Sequence, residues 1–220
     1  MSLRAKTKYV PPSQPAANAG VTLFCSAGAV GCLWVQLVLA EKEVEGMRLQ
    51  VQRPGRPSED LALLNPTQTL PTLADRDTVI YPARVIVEYL DERYPHPPMM
   101  PPDPAHRARL RMVLDRLEND LFPLVAAAEN PGSVAGREAR KRLVEQLVAS
   151  ASLFATRGWF LGLEHSIVDC AWTALFWKLA EQRLDLPPAA EPLRRYAQRA
   201  FARPAFARNM QARNAIKAVR

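Results

Sequence analysis

A run of prolines divides this chain of 220 residues into two parts with different patterns. Five prolines fall between Pro95 and Pro102, and none of them can continue a helix, because proline has a fixed φ and no backbone N–H. The residues before the run mix strand and helix patterns, whereas the residues after it show helix patterns alone. The run is therefore either a linker between domains or, since it is stiff and contains a histidine, a recognition surface.

The composition is typical of a globular protein with a sizeable core. Hydrophobic residues make up 48% of the chain and charged residues 23%. No apolar run approaches the roughly 20 residues that span a bilayer, and no apolar segment follows the early basic residues. We therefore expect neither a membrane anchor nor a secretion signal. The three cysteines do not suggest a disulfide framework, so we expect a cytoplasmic protein.

The positive charge is concentrated at the C-terminal end. The formal net charge is +7, and the last 30 residues hold eight basic residues and one acid, whereas the first 190 hold equal numbers of each. This end is either a solvated face or an electrostatic contact to an acidic protein surface or to phosphates. The basic side chains that we expect to make such a contact are Arg208, Arg213, Lys217 and Arg220.

The first part follows the order β-α-β-α-β-β-α, which is the thioredoxin-fold pattern. We predict strands over residues 21–25, 47–51, 72–74 and 78–80, and helices over 31–43, after Ser58 and over 82–94. Ser58 is a candidate helix cap, and Pro71 stands directly before the third strand. Residues 1–20, which contain three prolines among small and polar residues, are expected to be a flexible leader to a domain over 21–95.

The second part predicts an all-helical domain over residues 105–220, preceded by a linker and surface loop over 96–104. Asp103 is a candidate cap with Pro104 in the first turn, and Pro123 should kink or shorten this first helix. The other predicted helices are one after residues 130–132, a buried central helix over 168–184, and two basic segments over 194–201 and 204–219. Ser166 and Asp169 form a capping-box-like start to the central helix.

This combination resembles the glutathione transferase superfamily, in which a thioredoxin-like α/β domain precedes an all-α domain. The resemblance covers about residues 21–205. It implies that the Leu70–Pro71 peptide bond is cis, and that Ser166 and Asp169 are the folding signature at the start of the central helix.

Four segments resemble one particular family within this superfamily. They are residues 37–42 (LVLAEK), 64–68 (LNPTQ), 88–101 (EYLDERYPHPPMMP) and 168–170 (VDC). These segments are similar to the stringent starvation protein A family, a bacterial family with this fold and no transferase activity. The resemblance implies a homodimeric transcription regulator that binds RNA polymerase holoenzyme carrying the housekeeping sigma factor.

The same resemblance places the functional surface at Pro95, His96 and Pro97. A histidine between prolines cannot belong to a helix or to a core strand, so we expect it to be exposed at least in part. The neighbouring side chains would add an apolar, polarisable surface of the kind that recurs in protein recognition. These neighbours are Tyr94, Met99 and Met100.

The residues that an enzyme of this fold needs are replaced here. By the resemblance, the group that stabilises the glutathione thiolate falls near Ala29, which has neither donor nor nucleophile, although Ser26 and Cys32 are close. The acid–Ser pair that holds the γ-glutamyl group corresponds to Pro82 and Ala83. We therefore expect no catalysis. The alternative is a divergent glutathione transferase or thiol-dependent enzyme that uses Ser26 or Cys32.

Redox and metal chemistry are less favoured. A thioredoxin-like Cys-x-x-Cys would occupy residues 29–32, where only Cys32 is present, and Cys25 and Cys170 are interpreted as small core residues. The three histidines are far apart and have no cysteine partners at ligand spacing, so we expect no metal and no cofactor. Without a helix-turn-helix pairing, a contact to promoter DNA depends on the basic end alone.

Overall fold

A computed structural model describes residues 20–53, 55–155 and 158–218, with side chains up to residue 211. Apart from Gly20, the predicted leader over residues 1–20 lies outside the described residues. The elements of the first half are β1 (Thr22–Ser26), α1 (Val30–Glu41), β2 (Arg48–Gln52), α2 (Glu59–Leu64), β3 (Thr72–Asp75), β4 (Thr78–Ile80) and α3 (Ala83–Arg93).

The second half of the described chain is helical, as predicted. Its elements are α4 (Pro104–Arg116), a π-helical turn (Leu117–Leu121), α5 (Phe122–Ala127), α6 (Val134–Ser150), a 3-10 turn (Ala151–Phe154), α7 (Ile167–Glu181), a 3-10 turn (Pro188–Ala190), α8 (Glu191–Phe201) and α9 (Pro204–Ala218). No helix among the described residues is long and apolar enough to cross a lipid bilayer.

The four strands form one mixed sheet in the order β2-β1-β3-β4. β1 is parallel to β2 and antiparallel to β3, and β3 and β4 form a hairpin. The Leu70–Pro71 peptide before β3 is cis, as the resemblance implied. β1 is buried on both faces: Phe24 packs with Leu61 of α2 on one side, and Leu23 lies in the main core on the other. The predicted thioredoxin-like unit is thus confirmed.

Two helices end earlier than their apolar patterns predicted. α1 ends at Glu41 rather than at residue 43, and α7 ends at Glu181 rather than at residue 184. A residue with positive φ closes each of them, Glu43 at 51° and Arg183 at 49°. At both ends the next N–H groups bond back to the last helical turn in the Schellman pattern. Glycine is usual at such a position, so the residue types at these two helix ends do not signal a stop.

The first long helix of the second half changes its type before Pro123. The α-helix stops at Arg116, a π-helical turn covers Leu117–Leu121, and α5 continues to Ala127. Pro123 lies in the first turn of α5, where the missing N–H is tolerated. The expected kink or shortening at Pro123 therefore takes the form of a π-helical turn directly before it.

α7 is the buried centre of the helical half, since residues 166–176 are all buried. The capping box at its start is confirmed, because Ser166 Oγ accepts from two first-turn amides while Asp169 Oδ2 accepts from the N–H of Ser166 at 2.8 Å. The other oxygen of Asp169 accepts from the N–H of Phe160 at 2.8 Å and from the hydroxyl of Tyr196. This buried carboxylate therefore joins α7 to α8 and to the loop before α7.

The two halves of the chain meet where α1 packs against α7. Trp34 of α1 is fully buried, and its Nε1 donates to the carbonyl oxygen of Ile167 at 2.8 Å. At the end of α1, the Arg203 guanidinium donates to both carboxylate oxygens of Glu41, at 2.6 and 2.7 Å. Apolar burial and a bidentate ion pair thus hold the halves together.

His165 lies at this junction, with its side chain largely buried among charged groups. Its ring packs edge-on against Trp159, with centroids 4.6 Å apart, and its Nδ1 is 3.8 Å from Glu41 Oε1. Burial lowers the pKa of His165 and the charge of Arg203 acts in the same direction, whereas Asp169 and Glu41 oppose the shift. The folded protein therefore favours the neutral ring.

Replacing Asp169 with Asn should lower the free energy of unfolding by about 3 kcal/mol or more. The reason is that hydrogen bonds to a buried charged group contribute roughly 1.5–3 kcal/mol each. Urea denaturation followed by circular dichroism measures the effect. The exposed Asp115→Asn is the matched control and should change stability by less than about 0.5 kcal/mol. Equal stability of the two variants would contradict the role of Asp169.

The lowered pKa of His165 should make stability depend on pH. As the pH falls through about 6.5, the unfolded chain binds a proton at this histidine that the folded chain does not bind, so the free energy of unfolding decreases. His165→Gln should remove this part of the slope in urea denaturation measured between about pH 7.5 and about pH 5. The exposed His96→Gln should keep it. The interpretation fails if His165→Gln leaves the slope unchanged.

Candidate functional site

The proline run forms an exposed turn between the two halves of the chain. Pro95, His96, Pro97 and Pro98 are all exposed and follow the end of α3. The His96–Pro97 peptide bond is cis. We call these four residues the proline tip. It presents three proline rings and one imidazole to solvent, so the expected exposure of the histidine is confirmed.

The two methionines after the proline tip do not belong to this surface. Met99 and Met100 are 3% and 8% exposed and lie in the main hydrophobic core. The expectation that they face a partner is therefore corrected. The chain turns inward at Met99, whose carbonyl oxygen accepts from the N–H of Ile167 at 3.1 Å. Tyr94, on the other side of the tip, is half-buried against the same core.

A buried lysine holds the proline tip from inside. The side chain of Lys42, directly after α1, is fully buried, and its Nζ lies 2.6 Å from each of three oxygens. These are Asp91 Oδ1, the carbonyl oxygen of Tyr94 and the carbonyl oxygen of Pro97. An ammonium group has three N–H donors, so each of them has a partner. The cost of burying this charge is thus offset by a carboxylate and two carbonyl groups.

Asp91 connects the lysine to the far side of the tip. Its Oδ1 accepts from Lys42 and also from the backbone N–H of Met99 at 2.8 Å. We call Lys42 and Asp91 together the clasp. Further along, Arg107 Nε of α4 donates to the carbonyl oxygen of Pro101 at 3.1 Å. The proline run is therefore tied to both halves of the chain.

The sequence did not reveal the clasp. Lys42 and Asp91 both lie in segments that resemble the family, at residues 37–42 and 88–101, but no local pattern gives either of them a role. Lysine is rarely fully buried, and the Pro97 oxygen that Lys42 binds is 55 residues further along the chain. The one signal that could have found these residues was their place in those segments.

Ala29, which the resemblance matched to the catalytic position, caps α1 without a side-chain hydrogen bond. Cys32 is 1% exposed, and its Sγ accepts from the N–H of Ser26 at 3.3 Å. The structure thus brings the two alternative residues together, with the thiol buried. Cys25 and Cys170 are also buried, as predicted for core residues, and burial raises the pKa of the Cys170 thiol.

The two residues that the resemblance matched to the acid–Ser pair, Pro82 and Ala83, lie at the start of α3. Pro82 is the cap residue and Ala83 is the first helical residue, one position later than predicted, and no side-chain cap bond is made. The next residue, Arg84, donates from Nε to Glu118 of the helical half at 2.9 Å. Burial raises the pKa of Glu118, and Arg84 opposes this shift. Side-chain contacts at this helix end thus run between the two halves.

The basic C-terminal end is partly engaged inside the molecule. Arg199 donates to the carbonyl oxygen of Gly158 at 2.7 Å. Arg208 is about half exposed, but its guanidinium reaches the carbonyl oxygen of Ala40 at 3.2 Å and Glu43 Oε1 at 3.3 Å. Its expected role toward an outside partner therefore competes with an internal contact. The other three basic residues of the expected contact have side chains outside the described part of the chain. They are Arg213, Lys217 and Arg220.

The histidines occupy three separate environments. His96 is on the proline tip, His165 is at the junction of the halves, and His106 Nε2 lies 2.9 Å from the carbonyl oxygen of Leu161. Within the part of the chain that the structure describes, no group of three or more His, Cys, Asp or Glu side chains is placed to hold a metal ion.

Comparisons with known proteins agree with this architecture. The family described as glutathione S-transferase, N-terminal domain, matches residues 28–98. The glutathione transferase URE2P8 of Phanerochaete chrysosporium, solved with oxidized glutathione, superimposes with a TM-score of 0.80 at 14% identity, over 93% of this chain and 99% of that one. Such a low identity shows the fold alone. It confirms the predicted α/β thioredoxin-like domain followed by an all-α domain.

Two sequence relatives are more similar. The chain is 41% identical over 182 residues to a protein of Pasteurella multocida named stringent starvation protein A homolog, which covers 82% of this chain and 85% of that protein. A protein of the same name from Coxiella burnetii is 36% identical over 170 residues, covering 76% of this chain and 80% of that protein. Identity and coverage of this extent indicate a shared family as well as a shared fold.

Proposed function

This chain belongs to the stringent starvation protein A family, and on that premise we propose that it is a noncatalytic transcription regulator. Its partner is RNA polymerase holoenzyme that carries the housekeeping sigma factor, and it acts in the cytoplasm, where that enzyme works. The proline tip, residues 95–98, is the surface that binds the polymerase.

One observation is the main support: the tip is exposed while its backbone is held in place. Proline rings fix φ at three of the four tip residues, and the Lys42 ammonium binds the carbonyl oxygens of Tyr94 and Pro97. A segment that is already ordered loses little conformational entropy on binding. The tip also projects toward solvent, which suits a protein partner better than a small substrate, since small molecules bind in concave pockets.

The missing glutathione contacts support a noncatalytic role. Ala29 supplies neither a hydroxyl nor a thiol, Ala83 supplies no hydroxyl, and Pro82 has neither a carboxylate nor an N–H. Each charge-assisted hydrogen bond that is lost weakens binding by roughly 1.5–3 kcal/mol. Two or three such losses lower the affinity by orders of magnitude.

We also propose that the protein forms a homodimer, as its superfamily does, and that its basic end adds an electrostatic contact. Arg213, Lys217 and Arg220 would meet an acidic surface of the polymerase or sigma factor, or promoter DNA within the complex. Arg208 contributes less, because its guanidinium already binds the end of α1.

His96→Ala and Pro95→Ala should each weaken binding to sigma-loaded RNA polymerase by about 30-fold or more, the effect of truncating a central contact residue. Both side chains are exposed, so the fold should not change. Co-elution of the two proteins on a sizing column is the measurement. Pro131→Ala, which alters an exposed proline between α5 and α6, is the matched control and should co-elute like the native protein.

The outcomes separate the partner from the surface. If the native protein and the tip variants all co-elute, the polymerase is the partner but the tip is not the contact. If the native protein does not bind the polymerase, the proposed function is wrong. Circular dichroism establishes that each variant is folded.

The alternative function is that of a divergent glutathione transferase or thiol-dependent enzyme that uses Ser26 or Cys32. Two observations support this alternative: glutathione transferases share the fold, and Ser26 and Cys32 lie next to each other. Calorimetric titration with glutathione distinguishes the two functions. We expect no heat of binding at millimolar glutathione, whereas micromolar affinity would favour the enzyme. The double variant Pro82→Glu/Ala83→Ser, which restores the acid–Ser pair at the start of α3, should bind glutathione more tightly than the native chain.

A further inference from the structure

The carbonyl groups of Tyr94, directly before the proline tip, and of Pro97, within it, bind the same buried nitrogen. The oxygens of Tyr94 and Pro97 each lie 2.6 Å from Lys42 Nζ, so they are separated by no more than twice that distance. The residues between them, Pro95 and His96, must therefore arch outward over the lysine. The Lys42 ammonium group therefore binds both ends of this arch.

The Lys42 ammonium group offsets the repulsion between the oxygens that it binds. The Asp91 carboxylate carries a negative charge, and the two carbonyl oxygens carry partial negative charges. The three groups therefore repel one another at short distance. The Lys42 side chain is fully buried, and it is the one cation among the described residues within 4 Å of the Asp91 carboxylate.

Asp91 fixes the other end of the arch. It accepts from the N–H of Met99, and beyond that point Met99 and Met100 are buried in the core. The clasp therefore sets where the tip begins and where it ends, and the fixed φ angles of the prolines limit the conformations between those points.

We propose that Lys42 and Asp91 are positioning residues, which set the shape in which the proline tip meets its partner. Neither side chain is exposed enough to contact the polymerase directly, since the Lys42 side chain is fully buried and the Asp91 side chain is 13% exposed. The proposal rests on the proposed function, because the partner is the polymerase that binds the tip.

A purely stabilising role would have different consequences. Removal of Lys42 alone leaves the Asp91 carboxylate without its counterion, which is strongly destabilising, whereas removal of both charges is often neutral for stability. The double variant Lys42→Met/Asp91→Asn therefore regains the stability that the unpaired carboxylate costs in Lys42→Met, although the carbonyl oxygens of Tyr94 and Pro97 lose their donor in both variants. It should be folded and yet present an altered tip.

The experiment compares the native protein, Lys42→Met, the double variant and Lys141→Met, which removes an exposed lysine of α6 as the matched control. The double variant should unfold at a higher urea concentration than Lys42→Met and bind sigma-loaded polymerase at least about tenfold more weakly than the native protein. The NMR signals of its carbon-13-labelled His96 ring should be shifted. Lys141→Met should match the native protein in all three measurements.

Native-like polymerase binding by the folded double variant would overturn the positioning role. If the native protein itself does not bind, the proposed function fails, and the His96 spectra then decide the positioning role. Unchanged His96 signals in the double variant would overturn it, and shifted signals would support it. If Lys42→Met alone does not fold, the double variant still provides both measurements.

Discussion

The rest of the structure depends on two adjacent charges at the end of the first helix. Glu41 receives the Arg203 guanidinium of the helical half, and Lys42 binds the loop that follows α3. Successive residues of a helix point about 100° apart, so neighbours in sequence can reach different parts of the molecule. Both charges are largely buried and both are compensated by charge-assisted hydrogen bonds. One helical turn therefore fixes the junction of the two halves and the position of the proline tip.

Elements that depend on local chemistry could be predicted from the sequence. Ser58, Asp103 and Ser166 all accept hydrogen bonds from first-turn amides, as their residue types and their positions before apolar patterns indicate. The ends of α1 and α7 could not be predicted in the same way. Glu43 and Arg183 adopt the positive φ that glycine usually supplies, and the residues that follow them, Val44 and Leu184, pack against the main core.

The candidate site could be predicted in part. The prolines located the exposed tip, because residues without an N–H and with a fixed φ belong outside regular helices. The same reasoning placed Met99 and Met100 on the surface, and their burial shows that composition does not determine the direction in which a loop leaves a turn. Lys42 was missed as part of the site because its partners lie 49 to 55 residues away. Long-range contacts therefore determine that the residues on the two sides of the tip, Tyr94 and Met99, turn toward the core.

The proline tip has few backbone groups left to offer to another chain. Pro95, Pro97 and Pro98 have no N–H, and the carbonyl oxygen of Pro97 is already bound to Lys42. Unprotected strand edges seed aggregation when a neighbouring peptide adds to them as a further strand. A neighbouring peptide cannot add a strand along the proline tip in this way. The protein can therefore expose three apolar rings permanently without offering an edge to unrelated chains. A partner must recognise its side chains instead.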